Sequence, residues 1–393
     1  MTRTEVSVVI PTFNRSRELS QTLEALDRQT SSSFEVVVAD DGSKHPVVDE
    51  VEGTFSFPMT HVRQERDGFR LAAARNLGAS AASGALLVFL DCGTLPGPRL
   101  VETYLAAAER ASSVDFVAMG PTYGYDVAPP YASYVARVFC DAGADFQPHR
   151  FFGIPGVADY RELALAAAVH PAEIMMPWRL FWGRNVAVAA TDFSNVGGFD
   201  ENFRSYGVED IDLGYRLLAS GCQVRWERAA WALEIPEVAD LSSTQKAAEN
   251  DSNLRAMQRK YDDVWVEFYR AVRPSARSEQ VEGELLEAEL RRMTPCAPLR
   301  RTEPGPERIV YFGVPEIPIG ADDVVLDPCV HRSRSEHDPG LVSSLGMATL
   351  FNEGQFDRAV ITQRFRPLLA HWSEFVTAEA SRLAHRVDRT GSR

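Results

Sequence analysis

Val6-Ser7-Val8-Val9-Ile10-Pro11-Thr12-Phe13-Asn14-Arg15 and Glu35-Val36-Val37-Val38-Ala39-Asp40-Asp41-Gly42-Ser43 decide the fold. The first opens on a β-branched, apolar run that stops at Pro11. Such a run reads as a strand buried on both faces of a parallel sheet. The second is a run of the same kind, closed by the turn residues Asp40-Asp41-Gly42-Ser43. Between them, Arg17 to Gln29 sets Leu19, Leu23 and Leu26 on one helical face. The rhythm continues outward. Pro58 to Val62 is a weaker strand, Leu71 to Ala82 an alanine-rich helix and Leu86 to Leu90 a third strong strand. Leu100 to Ala111 is a helix and Phe116 to Met119 a strand. Strand–helix alternation of this kind predicts an α/β domain, a mostly parallel sheet with helices on both faces. In such sheets ligands lie beyond the carboxyl ends of the strands, where Asp40 and Asp91 stand.

The rhythm is lost between Pro121 and Phe181. That stretch is rich in Tyr, Phe, Trp, Pro and Gly, and reads as an insertion (121–181) over the site. A long helix is expected over Thr244 to Ala271 and a charged one over Ser278 to Met293. Pro295, Pro298, Pro304 and Pro306 mark a linker. The expected organisation is therefore a 1–240 catalytic domain, a 241–294 helical extension, a 295–306 linker and a 307–393 accessory α/β module.

Composition narrows the function. The 393 residues are 45% hydrophobic, enough for a sizeable core, and Lys+Arg 41 against Asp+Glu 55 gives 41 − 55 = −14. A general nucleic-acid partner or anionic membrane surface is disfavoured, since both need a basic footprint. The five cysteines are scattered without a CxxC pair, which argues against a disulfide framework and a zinc ribbon. No signal-peptide pattern opens the sequence, and no apolar run approaches the roughly 20 residues of a spanning helix. The expectation is a cytoplasmic protein without a membrane span.

Five pieces fall at the expected strand ends: Pro11-Thr12-Phe13-Asn14-Arg15; Asp40-Asp41-Gly42-Ser43; Arg70 with Arg75-Asn76-Leu77-Gly78; Asp91-Cys92-Gly93; and Gly197-Gly198-Phe199-Asp200-Glu201 followed by Tyr206-Gly207-Val208-Glu209-Asp210. Each alone is a common loop. As an ordered set they resemble glycosyltransferase family 2 with the GT-A fold, including a galactosyltransferase-like C-terminal segment, over about Val6 to Pro236.

The resemblance implies an inverting transferase that moves a sugar from a nucleotide-diphosphate donor, UDP-linked by expectation, to an acceptor hydroxyl on a saccharide, peptide or natural product. By the same resemblance, Asp40 accepts from the base edge and Pro11 and Thr12 wall the base and ribose. Arg70, Arg75 and Asn76 flank the donor, and Asp91 binds ribose. Trp182, Gly183, Arg184 and Asn185 line the acceptor side. Asp210 is the general base and Glu209 binds the acceptor. Physics supports the last pair, because a helix N-terminus stabilises negative charge.

One departure stands out. Metal-using relatives end an Asp-x-Asp motif on a metal ligand, and this chain has Gly93 there; their later histidine is replaced by Glu234. Three readings stay open. The enzyme uses no metal and its arginines, such as Arg70, Arg75 or Arg184, offset the diphosphate. Or Asp91 and Glu234 hold magnesium or manganese between them. Or the chain is a catalytically degenerate binding module that recognises a nucleotide or a partner.

Overall fold

The computed structural model describes residues 5–51, 53–111, 115–125, 127, 156–162, 165, 174–235, 243–273, 279–293, 301–329 and 340–390. Most of the expected aromatic insertion lies outside them, as do His331 and His337. The chain divides into two compact units, Met1–Asn250 and Asp251–Arg393.

The first unit is built on a seven-stranded sheet whose five strands up to Met119 are those read from sequence. The seven are β1 (Val6–Thr12), β2 (Phe34–Asp40), β3 (Met59–Arg63), β4 (Leu86–Leu90), β6 (Phe116–Met119), β8 (Asn185–Ala189) and β9 (Gln223–Trp226), in the order β3-β2-β1-β4-β8-β6-β9. β1 pairs with β2 and β4 in parallel, whereas β8 runs antiparallel to both β4 and β6. β1 continues through Pro11 to Thr12. Pro11 disturbs nothing there, because the pairing of β1 with β4 stops at Val9 and only β2 lies alongside Pro11. A small second sheet stacks β5 (Thr94–Pro96), β10 (Ala232–Glu234) and β7 (Thr122–Tyr123) in the order β5-β10-β7.

The pleat sends alternate residues to opposite faces. Val6, Val8 and Ile10 pack with Leu19, Leu23 and Leu26 of helix α1 (Ser16–Leu26) and with Leu100 and Tyr104 of helix α3 (Leu100–Ala111). Val9, Val37, Leu87 and Phe89 face the other way. They pack with Ala72 of helix α2 (Leu71–Ala81), Phe193 of the short helix α4 (Ala190–Asn195), and Leu213 and Leu217 of helix α5 (Glu209–Ala219). Each fully buried Val or Leu contributes roughly 1.5–3 kcal/mol.

Antiparallel β8 brings the site together. Parallel strands deliver their carboxyl ends to one edge of the sheet, and a strand running against them delivers its amino end there. Trp182-Gly183-Arg184 leads into β8, so it arrives beside Asp91, which follows β4; the Asp91 N–H donates to the Arg184 carbonyl at 3.3 Å.

One long helix is expected over Thr244 to Ala271, but the chain forms two, the first beginning before the second unit does. α6 spans Ser243–Tyr261 and α7 spans Val264–Val272. Asp262 turns left-handed between them (φ +47°) and the Asp263 carboxylate caps α7 by accepting the Trp265 N–H at 2.8 Å. The three-and-four spacing of apolar residues runs through the break, which is why periodicity alone reads as one helix. α8 follows over Glu279–Arg292.

At the described end of the proline-rich stretch, β11 (Arg301–Thr302) pairs with β13 (Ile319–Gly320). β12 (Ile309–Phe312), β14 (Val324–Leu326), β15 (Leu341–Val342), β16 (Phe356–Ile361) and β17 (Ala384–Arg389) form an all-parallel sheet in the order β15-β14-β12-β16-β17. Helix α9 (Arg366–Leu383) connects β16 to β17. Glu267 of α7 ties the helices to this sheet within the same unit. Its buried carboxylate accepts the N–H groups of Leu345, Met347 and Ala348 and the Ser344 hydroxyl. Burial nevertheless holds its carboxyl above the ordinary value, against the opposing effect of those bonds.

Candidate active site

One edge of the candidate site begins at the end of β2. Asp40 is fully buried. One carboxylate oxygen accepts the Ser43 N–H at 2.8 Å and the other the Val47 N–H at 3.5 Å, with Arg63 Nε 3.5 Å away. In the structure Asp40 has no exposed oxygen and closes its own turn. Asp41, the next residue of that turn, is buried as well, at 6% exposure. Its carboxylate accepts from Gln64 at 2.5 Å, Arg66 at 2.8 Å and the Arg70 N–H at 3.1 Å. The Arg66 guanidinium lies 3.7 Å from the Phe13 ring centroid. Pro11 and Thr12 are buried at the end of β1, where the Thr12 carbonyl accepts the Asp41 N–H at 2.9 Å. Arg70 is half-buried at the start of α2, and its guanidinium has no hydrogen bond or ion pair among the described residues.

The end of β4 carries Asp91-Cys92-Gly93. Cys92 is buried, which pushes its thiol up to about 12. Gly93 adopts φ +91°, and a Cβ there would stand 3.0 Å from Arg15 Nη2. The Asp91 side chain is 32% exposed and accepts from Arg75 Nη2 at 2.7 Å.

The facing edge of the site is the start of α5. Gly207 and Val208 both take left-handed backbone (φ +85° and +81°) immediately before Glu209. For a β-branched residue such as Val208 this is a strained conformation, of the kind that costs about 1–3 kcal/mol and collects at functional sites. Nothing in the sequence signals it beyond the adjoining glycine. The turn aims two carboxylates back at the sheet edge. Asp210 is half-buried and accepts the Gly183 N–H at 3.0 Å. Glu209 is buried and accepts from Arg75 Nη1 at 2.9 Å. Its carboxyl is raised to about 7, chiefly by burial and then by the Asp210 charge, with Arg75 opposing both. Trp182 is half-buried and meets Tyr125 and Tyr160 edge-on, with ring centroids 5.0 and 4.9 Å away. The Arg184 guanidinium lies 5.1 Å from the Tyr125 ring, and Tyr160 is 42% exposed.

Residues 7–155 match the family model described as glycosyl transferase family 2, and residues 163–238 match the N-terminal domain of galactosyltransferase. Validoxylamine A glucosyltransferase of Streptomyces hygroscopicus subsp. limoneus is 33% identical, covering 97% of this chain and 89% of that protein. The chain belongs to glycosyl transferase family 2. It is a glycosyltransferase with the GT-A fold. Chondroitin synthase of Pasteurella multocida (strain Pm70) is 33% identical over 56% of this chain and 23% of that protein. Among solved structures, a mannosyltransferase of Pyrobaculum calidifontis in complex with GDP-Man and Mn2+ overlaps 73% of this chain and 75% of its own at 17% identity and a TM-score of 0.46.

Several of the site residues read from the sequence of this glycosyltransferase make hydrogen bonds that hold the frame. Asn76 donates to the Phe199 carbonyl (2.9 Å) and Glu201 (3.0 Å) and accepts the Phe199 N–H (2.9 Å), pinning the Gly197–Glu201 loop to α2. Asn185 is fully buried; its amide donates to the carbonyls of Pro121 and Ala230 and accepts from the Tyr104 hydroxyl at 2.8 Å. Its hydrogen-bonding groups are consumed inside the fold. Arg75 is buried between two carboxylates, Asp91 and Glu209.

A divalent ion of the kind the Asp-x-Asp motif implies does not fit these residues. Gly93 supplies no oxygen ligand. Glu234 lies beside Asp91-Cys92-Gly93, since it pairs with Thr94 and the Ile235 N–H donates to the Gly93 carbonyl, but its carboxylate is hydrogen-bonded to the Arg184 guanidinium. Asp91 is likewise held by Arg75. A cation would have to displace a guanidinium from each carboxylate, and no three His, Cys, Asp or Glu side chains converge among the described residues. Likewise among the described residues, no helix is long and apolar enough to cross a membrane.

Proposed function

We propose that the chain transfers a sugar with inversion from a nucleotide-diphosphate donor, UDP-linked, to an acceptor hydroxyl, with Asp210 as general base. The observation that carries this is the Asp210 carboxylate, fixed by the Gly183 N–H at the sheet's carboxyl edge and presented by the strained Gly207–Val208 turn. The acceptor O–H gives its proton to Asp210 as its oxygen bonds to the anomeric carbon. The bond from that carbon to the diphosphate oxygen breaks, and the nucleoside diphosphate leaves with the electron pair. Glu209, whose second oxygen is buried and has no partner among the described residues, backs Asp210 on the acceptor side. Asp41, Pro11 and Thr12 frame the base side, and Asp91 receives the ribose.

The developing diphosphate charge is met by guanidinium groups in place of a metal. Arg70 is the candidate with no partner among the described residues. Arg15 stands where a side chain on residue 93 would project. Arg184 is already committed to Glu234, and its proton is held all the more firmly by that carboxylate and by Asp91, despite burial.

The likeness to validoxylamine A glucosyltransferase along almost the whole chain guides the first assay. UDP-, dTDP- and GDP-glucose are offered with validoxylamine A as acceptor, with and without EDTA, and the anomeric configuration of the product is read by NMR. An inverted product formed from UDP-glucose supports the proposal. A retained configuration, or no nucleotide binding across the panel, sinks it.

A further inference from the structure

Arg75 lies fully buried between the two edges of the site. Its planar fork points one nitrogen, Nη2, at Asp91 (2.7 Å) and the other, Nη1, at Glu209 (2.9 Å), residues 118 positions apart by their numbers. Its guanidinium lies flat against Gly183, where an added Cβ would stand 2.8 Å from Cζ. Gly183 is also the residue whose N–H holds Asp210. The Phe199 ring, 5.1 Å from Cζ, lies near the guanidinium as well. One rigid group therefore touches the donor-side carboxylate, the acceptor-side carboxylate and the backbone that carries the base. A lysine ammonium has no fork that could do this.

We propose that Arg75 is a positioning residue that couples the two halves of the site, so that the geometry of Asp91 and that of the Glu209–Asp210 pair are set together. The proposal rests on the roles given above to Asp91, Glu209 and Asp210. Its physical core is the sharing of one positive charge by two carboxylates. When Asp91 is neutral, the guanidinium belongs to Glu209 alone; when Arg75 is removed, Glu209 faces Asp210 with no compensation. The groups facing Glu209 are Asp210 on its own helix, Arg75 from α2 and Tyr206 from the preceding loop. Arg184, from the lead into β8, faces Tyr206 and Asp210.

The test uses the full chain and follows the Glu209 carboxyl by carbon-13 NMR titration, assigned by comparison with Glu209→Gln. Asp91→Asn is expected to lower the Glu209 midpoint by at least half a pH unit. In the Arg75→Met background the same substitution should move it by less than half as much. Arg75→Met alone should raise the midpoint by more than one unit and weaken UDP binding, read by calorimetry, at least threefold. Arg75→Lys should restore the titration in part and leave the UDP affinity low. Gly183→Ala keeps Arg75 but displaces its guanidinium, and should shift both readouts the same way should Arg75→Met not fold. A Glu209 midpoint indifferent to Asp91→Asn, or an Arg75→Met protein that alters only one edge, overturns the coupling. The titration needs no substrate, so it stands apart from failure of the proposed reaction, which appears instead as a wild-type chain without transfer or as an Asp210→Asn variant with full activity.

Discussion

Asp40→Ala separates two roles that the same aspartate could hold. In the structure Asp40 accepts the buried Ser43 N–H at 2.8 Å and, more weakly, the Val47 N–H at 3.5 Å. Each buried donor left without a partner costs about 1–3 kcal/mol. The second bond is long, so the expected loss is roughly 2–4 kcal/mol rather than the full sum. Arg63 adds little, because its side chain is 43% exposed and water screens the pair. At about 2–4 °C per kcal/mol for a unit of this size, Tm should fall by roughly 4–16 °C. The Kd for UDP, measured by calorimetry well below the transition, should change less than about threefold, since no Asp40 oxygen reaches the surface. Asp40→Asn keeps one acceptor oxygen for Ser43 and should recover about half of the lost stability. An unchanged Tm together with a UDP Kd weakened tenfold or more would refute this reasoning and return Asp40 to the base edge.

Asp210→Asn should abolish transfer with UDP affinity nearly unchanged, because shape is kept and basicity is lost; near-normal turnover would move the base elsewhere. Transfer should largely survive EDTA, and complete loss restored by manganese would establish Asp91 and Glu234 as a metal site after all. Gly93→Asp should lower stability by about 1–3 kcal/mol, as the position requires left-handed backbone, and should create no metal dependence; a manganese-stimulated variant of wild-type Tm contradicts this. Glu209 is raised in the folded state, so its protonated form favours folding: that stability is fully present below 4.5 and is lost as pH climbs through about 7. The Tm of wild type relative to Glu209→Gln should therefore fall over that range, and a pH-independent difference would contradict the burial of Glu209.

The strands were legible because buried parallel strands write themselves as β-branched runs: Leu86–Leu90 and Phe116–Met119 have the limits read from sequence. The Glu-Asp pair at a helix start was legible as well, since a helix N-terminus is a local event. The pinning residues were not. Arg75 and Glu209 are 134 residues apart, Asn76 and Phe199 123, and Arg184 and Glu234 50. A motif lists polar residues without saying whether they face a ligand or one another. Asp40 shows the same limit at close range: a turn with two aspartates does not declare which partners each will take.

The placement of β8 also governs how the polypeptide can be made. β4 and β6 are complete by residue 119, yet they are never neighbours; β8 must slide between them, and it ends at Ala189. Until the ribosome has delivered that strand, the nascent sheet keeps two apolar borders with unpaired backbone groups, the kind of edge that recruits other chains. A gene fragment ending within the intervening stretch should therefore accumulate as aggregate, while co-expression of a second piece beginning before Trp178 should rescue it by supplying the missing strand in trans.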